Sequence, residues 1–225
     1  MKEVVAEITL LARRSPDVNQ RSGVSVRASI ADYESLLANA FRRAIRLNET
    51  DVVPRISDLP YVIPSISGKL EFETVEEGRE EQIIEKLIQG AVVAVFNRHF
   101  ALSDLEPVVA RFKEGFAVEV GDGLPSADYM RLARRVDGLG AAVDKLEGAG
   151  HPGLTAAAVE FVLEGLHLNK DKLAGGCSTG GRPQDASQRE DITLRVYGYQ
   201  ENRLPPRIEI RGLDGSCGFQ PAEFN

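Results

Sequence analysis

Of the charged residues in this chain, Arg27 holds the position best suited to binding an anion. It closes the string SGVSVR, and a long amphipathic helix follows it. Ser29 stands where an N-cap belongs, with Asp32 three residues on as a weak capping box. That placement sets Arg27 a residue or two outside the helix start, beside the unpaired N–H groups of its first turn. An arginine so placed suits a phosphate. Arg21, in the same polar loop, is a secondary candidate. Arg42, Arg43 and Arg46 read as an ordinary solvated helix face. His99, His151 and His167 are isolated from one another and from Cys177 and Cys217, so no spacing fits a zinc site, and each reads as structural or superficial. No Gly-x-Ser-x-Gly elbow occurs. The carboxylates are spread along helix faces and form no recognisable acid–base pair. No catalytic residue and no metal ligand is assigned.

A phosphate-binding arginine calls for the rest of a nucleotide site, and the sequence does not contain it. No Gly-x4-Gly-Lys-Ser/Thr string is present, so there is no loop of backbone N–H groups and no magnesium-holding hydroxyl. The glycine-rich run at residues 175–181 has no Lys and follows no apolar strand. No apolar strand ends in a pair of acids that would hold magnesium.

The string SGVSVRASI, the helix ending NAFRRAIRL, and VVPRISDLPYVIPSISGKLEFE together resemble the lid subdomain of AAA+ ATPases. They are most similar to the branch that holds the magnesium-chelatase motor subunit and its bacterial relatives. The resemblance covers residues from about 4 to 173, the second half matching those relatives better than chelatase itself. It implies a mainly α fold: a lid-type helical bundle over residues 1–68, then a helical C-terminal domain over 69–173. It also implies that Arg27 is the sensor-2 arginine, reaching the γ-phosphate of ATP in its own or a neighbouring subunit. ATP and Mg2+ would be bound only with the nucleotide-binding core, which these residues lack, so the chain by itself would not hydrolyse ATP. The implied partners are other copies of the full ATPase in a ring and a protein subunit that receives the mechanical work. The alternative reading is a non-catalytic helical interaction module.

Bulk properties are those of a cytoplasmic globular protein. The chain is 43% hydrophobic and 27% charged, an ordinary balance. Its apolar runs are too short to span a bilayer, and Lys2-Glu3 leads straight into an amphipathic helix with no signal peptide. The formal net charge of −7 argues against nucleic-acid binding. The charge is uneven: residues 1–60 hold 9 basic and 8 acidic side chains, residues 61–120 hold 6 and 11. Two cysteines in such a chain read as free thiols.

The elements that must position Arg27 follow from periodicity. Val4, Ile8 and Leu11 predict a first helix over residues 2–14, ended by Ser15-Pro16. In the Arg27 helix the stripe Ile30, Tyr33, Leu37, Phe41, Ala44 and Ile45 predicts the buried face, and Asn48 the stop. Residues 52–56 read as extended, with Ser57-Asp58 capping a brief helix limited by Pro64. Ile83, Ile84, Leu87, Ile88, Ala91, Val92, Val95 and Phe96 make the widest apolar stripe in the chain. Burying it would contribute roughly 10–20 kcal/mol before ordering entropy is subtracted. Further helices are predicted after a capping box at Ser103, after Ser126, and from Thr155 to about 168, with a short helix ending near Leu146. Residues 117–120 read as briefly extended. Residues 174–191 read as a linker, and the alternation Ile192, Leu194, Val196 with Ile208, Ile210 predicts at most a weak hairpin. The tail over 174–225 carries no functional assignment.

Overall fold

The computed structural model describes residues 1–20, 24–73 and 79–170 in full, together with the backbone of two strands at 193–196 and 207–211. It is mainly helical. The helices are α1 (Lys2–Ala12), α2 (Val26–Leu47), α3 (Ile63–Ser67), α4 (Arg79–His99), α5 (Glu106–Lys113), α6 (Ser126–Arg135), α7 (Leu139–Lys145) and α8 (Pro152–Leu168). Single 3₁₀ segments at Ile56–Val62 and Leu102–Leu105 lead into α3 and α5. Strand β1 (Val118–Gly121) pairs antiparallel with β3 (Arg207–Arg211), which pairs in turn with β2 (Thr193–Val196), giving the order β1-β3-β2. The register sets Val118 opposite Ile210 and Leu194 opposite Ile210 on the other side. The alternating pairs 194/196 and 208/210 therefore fall on strands, and Val118–Gly121, one residue beyond the predicted extended stretch 117–120, supplies the third strand that a lone hairpin lacks.

Helix α8 is the hub. Its residues from Ala156 to Leu166 are buried almost without interruption, as expected of a helix apolar on every side. It packs against α6, α4 and α7. Gly165 lets α4 come close: a Cβ there would lie 2.0 Å from the Phe96 ring. α4 buries all eight residues of its stripe, and α1 lies along it through Val4, Val5, Ile8 and Ala12. One continuous apolar core runs from Val4 to Leu166.

Helix α2 runs antiparallel to α1. The Thr9 and Ser29 hydroxyls are 2.7 Å apart, Arg13 Nε donates to the Val24 carbonyl at 2.9 Å, and Lys2 lies over the Tyr33 ring. The face of α2 turned inward is not the predicted one. Ala28, Asp32, Leu36, Asn39, Ala40, Arg43 and Ala44 are buried, while Ile30, Phe41 and Ile45 are 56%, 57% and 65% exposed. The polar residues go inside because each finds a partner there: Ser65 donates to Asp32 at 2.7 Å, and Asn39 and Arg43 both donate to Asp58. A satisfied buried polar group is tolerated; of the predicted stripe only Ala44 is buried and Tyr33 packs part-buried against the core.

Helix boundaries bring smaller corrections. The cap of α2 is Ser25, whose hydroxyl accepts from the Arg27 N–H at 3.1 Å, because the Ser29 hydroxyl is already engaged with Thr9. Ser103 caps nothing; it lies inside the 3₁₀ segment, and Leu105 precedes α5. Pro64 opens α3 instead of limiting a helix, as its lost N–H permits at a first turn. α8 begins at Pro152, with the His151 side chain accepting from the Leu154 N–H at 3.3 Å.

Candidate functional site

Arg27 is the second residue of α2, inside the helix and not ahead of it. It is exposed, and its guanidinium has no partner among the described residues. Its immediate neighbour Val26 and Ile30, one turn on, are exposed as well. The N-terminal end of α2 thus presents a cation on an apolar surface. Arg21 lies outside the described residues.

Behind that surface, α2 is held by a buried polar lattice. Arg43 is 3% exposed; it donates from Nε and Nη2 to the two Asp58 oxygens at 3.2 and 3.0 Å, from Nη1 to Glu49 at 3.3 Å, and to the Val53 carbonyl at 2.6 Å. Asn39 donates to Asp58 at 2.8 Å. Asp58 closes the turn at Ile56–Val62 by accepting from the Arg55 N–H at 2.8 Å. The Arg55 side chain is completely enclosed. It reaches Glu49 at 3.1 Å, the Leu124 carbonyl at 2.9 Å and the Ser126 hydroxyl, and its guanidinium covers the Tyr129 ring at 4.9 Å. Tyr129 accepts from the Gly121 N–H at 2.9 Å and hydrogen-bonds Glu160, whose other oxygen accepts from the Ser57 N–H at 2.8 Å. The lattice therefore ties α2 to the 3₁₀ turn, α6 and α8. Arg43 belongs to it and not to a solvated face. Arg46 is engaged too, donating to the Asp122 carbonyl and carboxylate at 2.7 and 2.8 Å. Arg42 and Arg46 both stay exposed, Arg42 stacked on Tyr61 at 4.6 Å.

The charges explain the protonation states. Two guanidinium groups, Arg43 and Arg55, balance two carboxylates, Glu49 and Asp58. Burial works against ionising Glu49, yet Ser126, Arg55 and Arg43 hold it below the usual carboxylate range. Glu160 is the surplus acid, and burial pushes it upward. Glu164, one turn along α8, is pushed to about 7 by burial and by Glu160. One of its oxygens is buried with no hydrogen-bond partner. Apart from Glu164 these groups are enclosed and mutually committed, so the lattice braces the fold and offers no open acid–base pair. Among the described residues no cluster of three or more acids, His or Cys is arranged to hold a metal. No described helix is long and apolar enough to cross a membrane.

A cleft of about 540 Å³ lies beside the α1 N-terminus, with Val4, Tyr33, Val95 and Phe161 in its walls and His99 and Lys145 among its polar residues. Two of its polar side chains have partners, His99 with Glu3 at 3.2 Å and Lys145 with Asp104 at 3.3 Å.

Sequence reasoning did not find Arg55, Glu49, Tyr129, Glu160 or Glu164. The last two carried a usable signal: they are the only acids in the apolar run from Ala156 to Leu168, and a carboxylate inside such a helix must be enclosed. No family model, no curated protein and no solved structure matches this chain.

Proposed function

We propose that this chain is the lid and helical extension of a magnesium-chelatase-like AAA+ ATPase, with Arg27 as the residue that senses the γ-phosphate of ATP. The observation that carries the reading is the state of Arg27: exposed, without a partner among the described residues, at the N-terminal end of a helix braced from behind. A guanidinium buried in its own bundle could not serve a nucleotide held by other protein. In the assembled motor it neutralises phosphate charge and couples rotation of α2 to nucleotide state, and the Arg43–Asp58–Arg55–Glu160 lattice transmits that rotation to α6 and α8 as one body. ATP and Mg2+ are bound by the nucleotide-binding core, other copies complete a ring, and a partner protein takes up the work. The purified chain alone is therefore expected to show no Mg-ATP turnover. Turnover lost in Arg27→Ala, and so not due to a contaminant, would contradict this reading.

The exposed apolar stripe of α2 favours a second reading, a helical interaction module with no motor core. The coding sequence upstream of Met1 separates the two. An in-frame P-loop followed by an apolar strand ending in acids supports the motor.

A further inference from the structure

Because α1 and α2 run antiparallel, the C-terminal end of α1 lies beside the N-terminal end of α2, and the Thr9–Ser29 hydroxyl contact at 2.7 Å holds the two together close to that end. There α1 stops at its C-cap, Arg13. Arg13 is exposed, and its Nε donates to the Val24 carbonyl at 2.9 Å. Its two terminal nitrogens have no partner among the described residues. One of the five guanidinium N–H groups therefore anchors the side chain, and four remain to be donated. Arg14, its neighbour, is exposed as well but has no such anchor.

The anchor sets this guanidinium close to Arg27. Val24 precedes Arg27 by three residues, which limits the separation of their Cα atoms to about 10 Å. No acid competes for either side chain from nearby in the sequence: residues 18–31 contain no Asp or Glu. Asp32, the first acid of α2, is buried and accepts from Ser65. Two like charges this close repel, and an anion placed between them turns the repulsion into attraction. Both guanidiniums are planar forks whose N–H groups match the oxygens of a phosphate.

We propose that Arg13 is the second arginine of the Arg27 site, so that guanidiniums from two helices grip the terminal phosphates of one nucleotide. The inference rests on the reading of Arg27 as a phosphate ligand. Held at Val24, the Arg13 side chain loses little freedom when a phosphate arrives, and it ties the phosphate to α1 as well as to α2. Spacing along the chain hides the pair, since Arg13 meets its anchor 11 residues away.

Titration of the purified chain with sodium tripolyphosphate at physiological ionic strength, followed by amide shifts in two-dimensional NMR, tests this. Weak, saturable binding is expected, with shifts at residues 26–28 and at the Arg13 Nε–H. Arg13→Gln isolates the guanidinium, because the glutamine amide nitrogen stands at the same place along the side chain as Nε and keeps the bond to Val24. It should raise Kd about fivefold, as should Arg27→Ala, the upper range for an exposed ion pair. Arg14→Ala removes the same charge one residue away and should change Kd by less than about twofold. The spectra themselves show whether each variant is folded. Arg13→Gln at the wild-type Kd, with Arg27→Ala still weakening binding, overturns this inference and leaves the reading of Arg27 standing. Arg27→Ala without effect overturns both. Binding that does not saturate, or that Arg14→Ala weakens as much as Arg13→Gln does, overturns the inference by reducing it to general attraction between charges.

Discussion

Arg43 and Asp58 meet in a two-pronged ion pair, with distances of 3.2 and 3.0 Å, at side chains that are 2% and 0% exposed. Asp58 spends its remaining capacity on Asn39 and on the Arg55 backbone. One carboxylate thus fixes the rotation of α2, the geometry of the following turn and the position of a second enclosed arginine.

Asp58→Ala should therefore destabilise the fold by about 3–5 kcal/mol, because it leaves Arg43 enclosed without its counter-ion. Asp58→Asn, which keeps an acceptor, should lose less. Denaturant titration reads both, and a loss below about 1 kcal/mol for the alanine variant would show the pair to be dispensable.

Glu164 makes stability depend on pH near neutrality. Its carboxyl titrates at about 7 in the folded chain against an ordinary 4.5. Between those values the folded state holds a proton that the unfolded state has released. Its contribution to stability therefore falls as pH rises from 4.5 to 7 and levels off above, by about 3 kcal/mol in all, while His167, which burial lowers to about 4, contributes in the opposite sense between about 4 and 6.5. Glu164→Gln should remove the falling contribution and leave the rise. A pH profile unchanged in the variant would show that Glu164 does not titrate in this range.

Gly165→Ala should destabilise by about 1–3 kcal/mol, although alanine is the better helix former. The new Cβ would fall 2.0 Å from a Phe96 ring carbon. Phe96→Leu should relieve part of the loss, so the two changes will not add. Strict additivity in a double-mutant cycle would mean that α4 and α8 are not in contact there.

Ile45→Asp should leave stability within about 0.5 kcal/mol of wild type, because Ile45 is 65% exposed. A core position would lose several times as much. Thermal denaturation decides between the two.

These outcomes show where the fold was legible in the sequence. In α4 the apolar residues had one face available, and all eight are buried. In α2 two faces competed. Counting apolar spacing chose Ile30, Tyr33, Leu37, Phe41, Ala44 and Ile45, of which Ala44 is buried and Tyr33 and Leu37 are half-buried; the chain also buries Asp32, Asn39 and Arg43, because Ser65 and Asp58 wait for them 33, 19 and 15 residues away. No local window contains that information. The cap of α2 was ambiguous for the same reason: Ser25 and Ser29 both fit, and Thr9, twenty residues before Ser29, takes the second hydroxyl. The start of α8 was legible and missed, since a proline suits a first helical turn and His151-Pro152 marks one. Of the candidate site, the exposure of Arg27 agrees with its placement in SGVSVR, whereas the lattice that braces it was hidden by its long-range partners.

The claim that Arg27 senses a phosphate held by protein outside these residues is tested most directly by steady-state ATPase measurement. The chain is expressed joined to the polypeptide encoded in frame upstream of Met1. Mg-ATP hydrolysis is expected, with kcat reduced about 10³-fold or more by Arg27→Ala, the low end for an arginine acting on phosphoryl transfer, and ATP still bound. Hydrolysis unaffected by Arg27→Ala, or an upstream polypeptide that neither binds nor hydrolyses ATP, would contradict it.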